Sequence, residues 1–136
     1  MFFRKMIAFV CTVLISAPLV GSSFMIIEGS SIEEVPGLIF FTYMYAIPVT
    51  LLFGVPISIL SDKWSKRFSG KKRMVSSFTI HLLSGVSFVL LFMLIFDSRF
   101  ILTHFNSFDL YFLVASTLIS FVGWGMDEVL RKSFHK

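Results

Sequence analysis

Four long stretches of this 136-residue chain contain no Asp, Glu, Lys or Arg: Met6–Ile27, Gly37–Leu60, Met74–Phe96 and Leu110–Met126. Cysteine is nearly absent as well, and the single Cys11 excludes an internal disulfide. No Pro/Ser-rich linker, repeat or low-complexity tract divides the chain. The motifs G-x-S-x-G, the P-loop, H-E-x-x-H and C-x-x-C are missing, as is any pair of carboxylates inside an apolar stretch. His104 has neither a cysteine nor a second histidine nearby, so no metal site is expected there. No catalytic residue, metal or cofactor is therefore predicted, and the chain is read as not an enzyme.

What is present is apolar residues, at 56% of the chain, with a mean hydropathy of +0.87. At about 1.5 Å per residue the four runs reach roughly 25 to 36 Å, against a hydrocarbon core of about 30 Å. A soluble domain of this length could hide one such helix, but four would leave too little polar sequence to cover them. The runs are continuous rather than alternating, which favours helices over a barrel. The expected fold is all-α: a polytopic membrane protein built as a four-transmembrane-helix up-down bundle. One domain, 1–136, carries spans at about 6–27, 37–60, 74–96 and 110–126, and the short connections make consecutive spans antiparallel neighbours.

Charge sets the orientation. Eleven of the twelve Lys and Arg residues fall before the first run, between the second and third, or after the fourth; only Arg99 lies on the other side, with Glu28, Glu33, Glu34, Asp97 and Asp109. Lys and Arg resist translocation, so both termini and the segment Asp62–Arg73 are expected in the cytoplasm, with Glu28–Pro36 and Phe96–Phe108 outside. The competing reading of the N-terminus is a cleaved signal peptide. The first run continues through Phe24-Met25-Ile26-Ile27 without an A-x-A site, so it is expected to remain as a span. Cys11 reads as a small buried hydrophobe.

A small-polar stripe recurs on each span: Thr12, Ser16 and Ser23; Thr50, Gly54, Ser58 and Ser61; Ser77, His81, Ser84 and Gly85; Ser116, Ser120 and Gly123. Such positions permit close backbone approach and inter-helical hydrogen bonds where lipid provides no hydrophobic drive. His81, with Ser77 and Ser84, is the candidate intramembrane polar site. It is expected to be a neutral packing histidine facing the other helices, a proton-handling role being the alternative, since the apolar runs hold no carboxylate partner. Pro48 and Pro56, with Gly54 between, each remove a backbone hydrogen bond and should bend the second span. The bend is a candidate hinge, read first as a structural kink.

The basic segment Asp62–Arg73 places Trp64 and Phe68 at i and i+4 on one face. Lys63, Trp64, Lys66, Arg67, Lys71, Lys72 and Arg73 are the expected contacts to anionic lipid headgroups of the bilayer. A nucleic-acid partner is not expected, because no recognised module surrounds the charges. The outer segment Arg99–Phe108 is apolar, with Phe100, Ile101, Leu102, Phe105 and Phe108, and should rest on the outer interface.

The small multidrug transporters depend on a glutamate within the first span, whereas Glu28 here falls past its outer end. The asparagine and arginine motifs of fluoride channels are not recognisable either. The run Phe53-Gly54-Val55-Pro56-Ile57-Ser58-Ile59-Leu60-Ser61-Asp62-Lys63 resembles a family of uncharacterised small four-span membrane proteins from bacillus-type Gram-positive bacteria. That resemblance implies a bacterial cytoplasmic membrane and brings no activity, ligand or site residue. The expected role is interaction or regulation in that membrane, with another membrane protein or a second copy as partner. A small oligomeric transporter or channel is the alternative.

Overall fold

The computed structural model describes residues 2–96 and 106–134. Within them the chain is all-helical: α1 (Phe2–Glu28), α2 (Val35–Val49), a π-helical turn (Thr50–Gly54), α3 (Val55–Ser65), α4 (Gly70–Phe96) and α5 (Ser107–Phe134). α2, the π turn and α3 run on without a break, so the chain has four helices long and apolar enough to cross a membrane. The outer segment with Arg99 and His104 lies outside the described residues.

The helix ends follow local chemistry. α1 stops at Gly29, whose φ of 67° suits a residue without a side chain. α5 starts with a capping box: the Asn106 side chain accepts from the Asp109 N–H at 3.0 Å, and the Asp109 carboxylate accepts from the Asn106 N–H at 3.1 Å. α3 and α4 are separated only by residues 66–69, with Gly70 at φ 56° opening α4. The basic segment expected as a twelve-residue loop is therefore mostly helix. Asp62–Ser65 completes α3 and Gly70–Arg73 begins α4, because nothing in these flanks breaks the helix once the apolar run ends.

The prolines act within a continuous helix. Pro56 has no N–H to give, and the Val55 N–H bonds back to the Thr50 carbonyl, five residues earlier, which is the π pattern. Pro56 itself falls in the first turn of α3, where a missing donor costs least. The backbone disturbance expected between Pro48 and Pro56 thus takes the form of one widened turn.

α1 packs against α2 and α5, and α4 packs against α3 and α5. At one end lies an aromatic core: Val20 and Phe24 of α1, Val89 and Met93 of α4, and Tyr111, Phe112 and Ala115 of α5. Phe24 and Tyr111 rings sit 4.6 Å apart, and the Tyr111 hydroxyl shares a 2.6 Å hydrogen bond with Thr42. Elsewhere the polarity is inverted relative to a water-soluble protein. Ser16, Thr42, Ser61 and Ser65 are fully enclosed, while Ile26, Phe40, Leu52, Leu83 and Ile95 point outward.

The stripes account for a close crossing of α4 and α5. Ser116 donates to the Gly85 carbonyl at 2.8 Å, joining α5 to α4 through a side chain and a backbone. A Cβ on Gly85 would strike the Ser120 hydroxyl and lie 3.2 Å from the Ser116 carbonyl. Gly125 on α5 faces open space. Gly85→Ala should therefore destabilise the purified protein by about 1–3 kcal/mol. Gly125→Ala should be neutral or stabilising by up to about 1 kcal/mol. Thermal unfolding in detergent compares the two, and equal effects would mean that the α4–α5 crossing is not held by close backbone approach.

Candidate functional site

At the end opposite the aromatic core the helices bring charges together. Arg4 and Lys5 come from the first turn of α1, Asp62 from the last turn of α3, Arg73 from the first turn of α4, and Asp127 from the second half of α5. Lys5 Nζ donates to Asp127 Oδ2 at 2.6 Å and to Ser58 Oγ at 2.7 Å, and lies 2.8 Å from Asp62 Oδ2. An ammonium has three N–H groups, and here each has a partner. Arg4 bonds Asp62, Arg73 reaches Asp62 Oδ1 at 3.3 Å, and Arg4 Nε lies 3.7 Å from Asp127 Oδ1. Lys5 is 2% exposed and both carboxylates are as well hidden. Next to the network, Ser61 donates to Ser77 at 2.9 Å, tying α3 to α4.

The apolar runs hold no carboxylate, but Asp62 and Asp127, just past the ends of the second and fourth runs, are brought together there with Lys5. The signal was in the spacing. Asp127 lies four residues after Gly123 and seven after Ser120; Asp62 lies four after Ser58; Lys5 lies seven before Thr12; Arg73 lies four before Ser77. These intervals place each charge on the small-polar face of its helix. Counting spans only as far as the uncharged runs extend hides them. Arg73, expected among the headgroup contacts, is instead turned inward to Asp62, while Lys63, Trp64, Lys66, Arg67, Lys71 and Lys72 are exposed. Glu128 and Arg131, one turn apart on α5, form a separate pair at the same end.

The candidate polar site on α4 sits nearby. His81 is buried, and its Nδ1 lies 2.9 Å from the Ser77 carbonyl. A carbonyl only accepts, so Nδ1 carries the proton, and in the uncharged ring Nε2 is left as an acceptor. Ser84 is partly buried and returns its hydroxyl to the Ile80 carbonyl. Ser77, His81 and Ser84 thus lie on one face, bonded to α3 and to their own helix.

Between the network and the aromatic core is a cavity of about 370 Å³. Its buried walls include Lys5, Thr12, Thr50, His81, Ser116 and Ile119. Phe53, Leu83 and Leu91 line it too, yet are more than half exposed, so they mark its mouth. The mouth falls where α4, packed on α3, stands off from the π turn, with Phe53 bridging to Phe88 at 4.8 Å between ring centroids. The candidate hinge Pro48–Pro56 is therefore one wall of the cavity, and Gly54 lines it directly.

Among the described residues no three of His, Cys, Asp and Glu are grouped so as to hold a metal ion. The arrangement can hold a ligand or brace the helices. Substituting Asp127 with Ala should destabilise by about 3–5 kcal/mol, since it leaves Lys5 under-compensated in an enclosed site. Lys5→Met combined with Asp127→Leu should recover much of that loss. A double-mutant cycle on unfolding in detergent measures the coupling; purely additive costs would deny that Lys5 and Asp127 stabilise one another. Comparison with known proteins gives no matching family model, no matching curated protein and no matching solved structure.

Proposed function

We propose that the chain is a multi-pass protein of a bacterial cytoplasmic membrane, folded as a four-helix up-down bundle, and that it serves there as an interaction or regulatory protein rather than as an enzyme or carrier. The observation that carries this reading is the pair of closures along the helix axis. The Lys5–Asp62–Asp127 network lies at one end and the Phe24–Tyr111–Phe112 core at the other, and among the described residues the exposed lining side chains Phe53, Leu83 and Leu91 open the space to the side. A side opening suits a molecule or a neighbouring helix arriving within the bilayer, and does not suit axial permeation.

Membrane insertion is supported by the four apolar helices and by the outward apolar and inward polar side chains. The charge asymmetry supports cytoplasmic termini and a cytoplasmic 66–69 connector. The resemblance around Phe53–Lys63 supports a bacterial membrane. Exposed Lys63, Lys66, Arg67, Lys71 and Lys72, with Trp64 beside them, suit anionic headgroups at on the order of 1 kcal/mol per basic residue. The partner is another membrane protein, a second copy or a lipid-phase molecule.

A second reading, a small oligomeric transporter, draws on the π turn beside the cavity. Half-broken helices next to polar cavities form sites in transporters. Replacing Pro48 and Pro56 together by alanine decides what the turn does. A structural turn loses thermal stability as its neighbours lose their fit, and this is the expected result. A more stable protein that has lost its function would make the second span a moving part.

Proteoliposomes loaded with pH- and ion-sensitive dyes should show no flux above protein-free vesicles, and sustained flux would replace the interaction reading with transport. His81→Gln should leave folding and any partner complex intact, as a polar side chain still faces the network; loss of function with intact folding would assign His81 a proton-handling role. A cytosol-only reporter fused after Lys136 should be active and one inserted near Glu33 silent, and the opposite pattern would overturn the topology.

A further inference from the structure

The basic corner and the cavity mouth lie on the same two spans. Exposed Lys63, Lys66, Arg67, Lys71 and Lys72 surround the corner where α3 passes into α4, and the cavity opens beside α4 at Phe53, Leu83 and Leu91. An exposed face of α4 joins the two. At 100° per residue Lys72, Val75, Thr79 and Leu83 fall within about 80° of one another, and all four are exposed. The Thr79 hydroxyl donates to the Val75 carbonyl at 3.0 Å, which leaves the face between Lys72 and Leu83 largely apolar. On the second span Trp64, Leu60 and Phe53 are exposed along the same stretch, from the corner to the mouth. Residues 63–73 contain no acid, and Asp62 is already shared by Arg4, Lys5 and Arg73, so the corner attracts an anion.

Depth and wall chemistry narrow what enters. Half of a hydrocarbon core of about 30 Å is crossed by about ten helical residues at about 1.5 Å each. Counted inward from the basic ends of the four uncharged runs, that half covers residues 6–16, 50–60, 74–84 and 116–126. Phe9, Thr12, Gly54, Ser58, His81 and Gly123 line the cavity inside these limits, and Tyr45, Phe88 and Leu91 carry it just past the midplane. This is the depth at which the acyl chains of the leaflet on the basic side end. The walls give a polar head no hold. Lys5 is the one cation among the lining residues, its three N–H groups are engaged by Asp127, Asp62 and Ser58, and neither carboxylate lines the space. Thr50, unlike Thr12, Thr42, Thr79 and Thr117, does not return its hydroxyl to the carbonyl four residues back, but that oxygen is enclosed within the wall and offers the cavity nothing. Much of the remaining surface is apolar, with Val49, Ile57, Phe88 and Ile119, and the volume of about 370 Å³ is that of a small-molecule site, roughly 300–1,000 Å³. Such a space takes a hydrocarbon chain and leaves its head outside.

We propose that the α3–α4 corner and the side-opening cavity form one binding site for an anionic phospholipid of the leaflet on the basic side, its phosphate held by Lys71 and Lys72 and one acyl chain running past Val75, Thr79 and Leu83 into the cavity. The corner selects the head by charge, and the cavity encloses the end of the chain. This rests on the reading of the chain as membrane-embedded, and names the lipid-phase molecule left open there.

The test uses the full chain in phosphatidylcholine nanodiscs. The probe is phosphatidylglycerol with a photoreactive diazirine at the end of one acyl chain, beside phosphatidylcholine carrying the same chain. The phosphatidylglycerol probe should label Phe53 and residues 83–91 saturably, and unlabelled phosphatidylglycerol should compete. The phosphatidylcholine probe should label these residues at least about tenfold less. Glycerol phosphate in the buffer should not compete; competition by it would make the corner a site for a soluble anion and overturn the lipid assignment. Lys71→Gln with Lys72→Gln removes two exposed charges and should weaken half-saturation about ten- to thirtyfold. Ser87→Trp, at an exposed lining position, should block the mouth and abolish labelling of Phe88 and Leu91. Labelling that does not saturate, that spreads over outward residues such as Leu14, Ile26 and Phe40, or that is indifferent to head charge or to either variant would overturn the assignment. The competition on the unaltered protein decides the matter even where a variant fails to fold. Solute flux in the proteoliposome assay would overturn the interaction role and leave this site standing, whereas equal labelling by the two probes would remove the site and leave that role untouched.

Discussion

Everything at the charged end depends on the ammonium of Lys5. It is almost fully enclosed, and its three donors meet Asp127 of α5, Asp62 of α3 and Ser58 of α3. Removing such a group from water costs several kcal/mol, which close pairing with two carboxylates must offset. The arrangement runs against the helices' own fields. Basic residues sit in the first turns of α1 and α4 and Asp62 in the last turn of α3, each the unfavourable end for its sign. That conflict is relieved because the unfavourable ends of different helices meet and pair with one another. The basic residues at this end are in this way partly consumed as structural cement.

The centre of the chain works on different physics. Gly85, Ser116 and Ser120 bring α4 and α5 together at van der Waals distance with a hydrogen bond across the seam. On the other side of α4 the second span cannot do the same. Pro56 denies a backbone donor, the chain takes a π turn, and the wall stands off far enough to leave a cavity. A tight seam on one face of α4 and a gap on the other explain why the enclosed space opens sideways.

These two features define the functional reading. A saturated ion network makes one end rigid and denies the cavity a free charge, while the π turn supplies an opening. On the reading proposed above, this combination would suit contact with partners in the lipid phase.

The uncharged runs by themselves determined four helices of spanning length, because in a chain with so few polar residues no other element satisfies every backbone group. Serine and glycine spacing also identified the inward faces, including His81 and the Gly85 crossing, since helical periodicity is local. The sequence placed a disturbance at Pro48–Pro56 for the same reason: a missing N–H is visible in one residue. It could not decide that the lost bond becomes a π turn, that Thr50 is the threonine left without its carbonyl, or that Arg73 leaves the headgroup set for Asp62. Lys5, Asp62, Asp127 and Arg73 lie up to 122 residues apart. Their partners are set by which helix ends meet in space, and that only the tertiary structure decided.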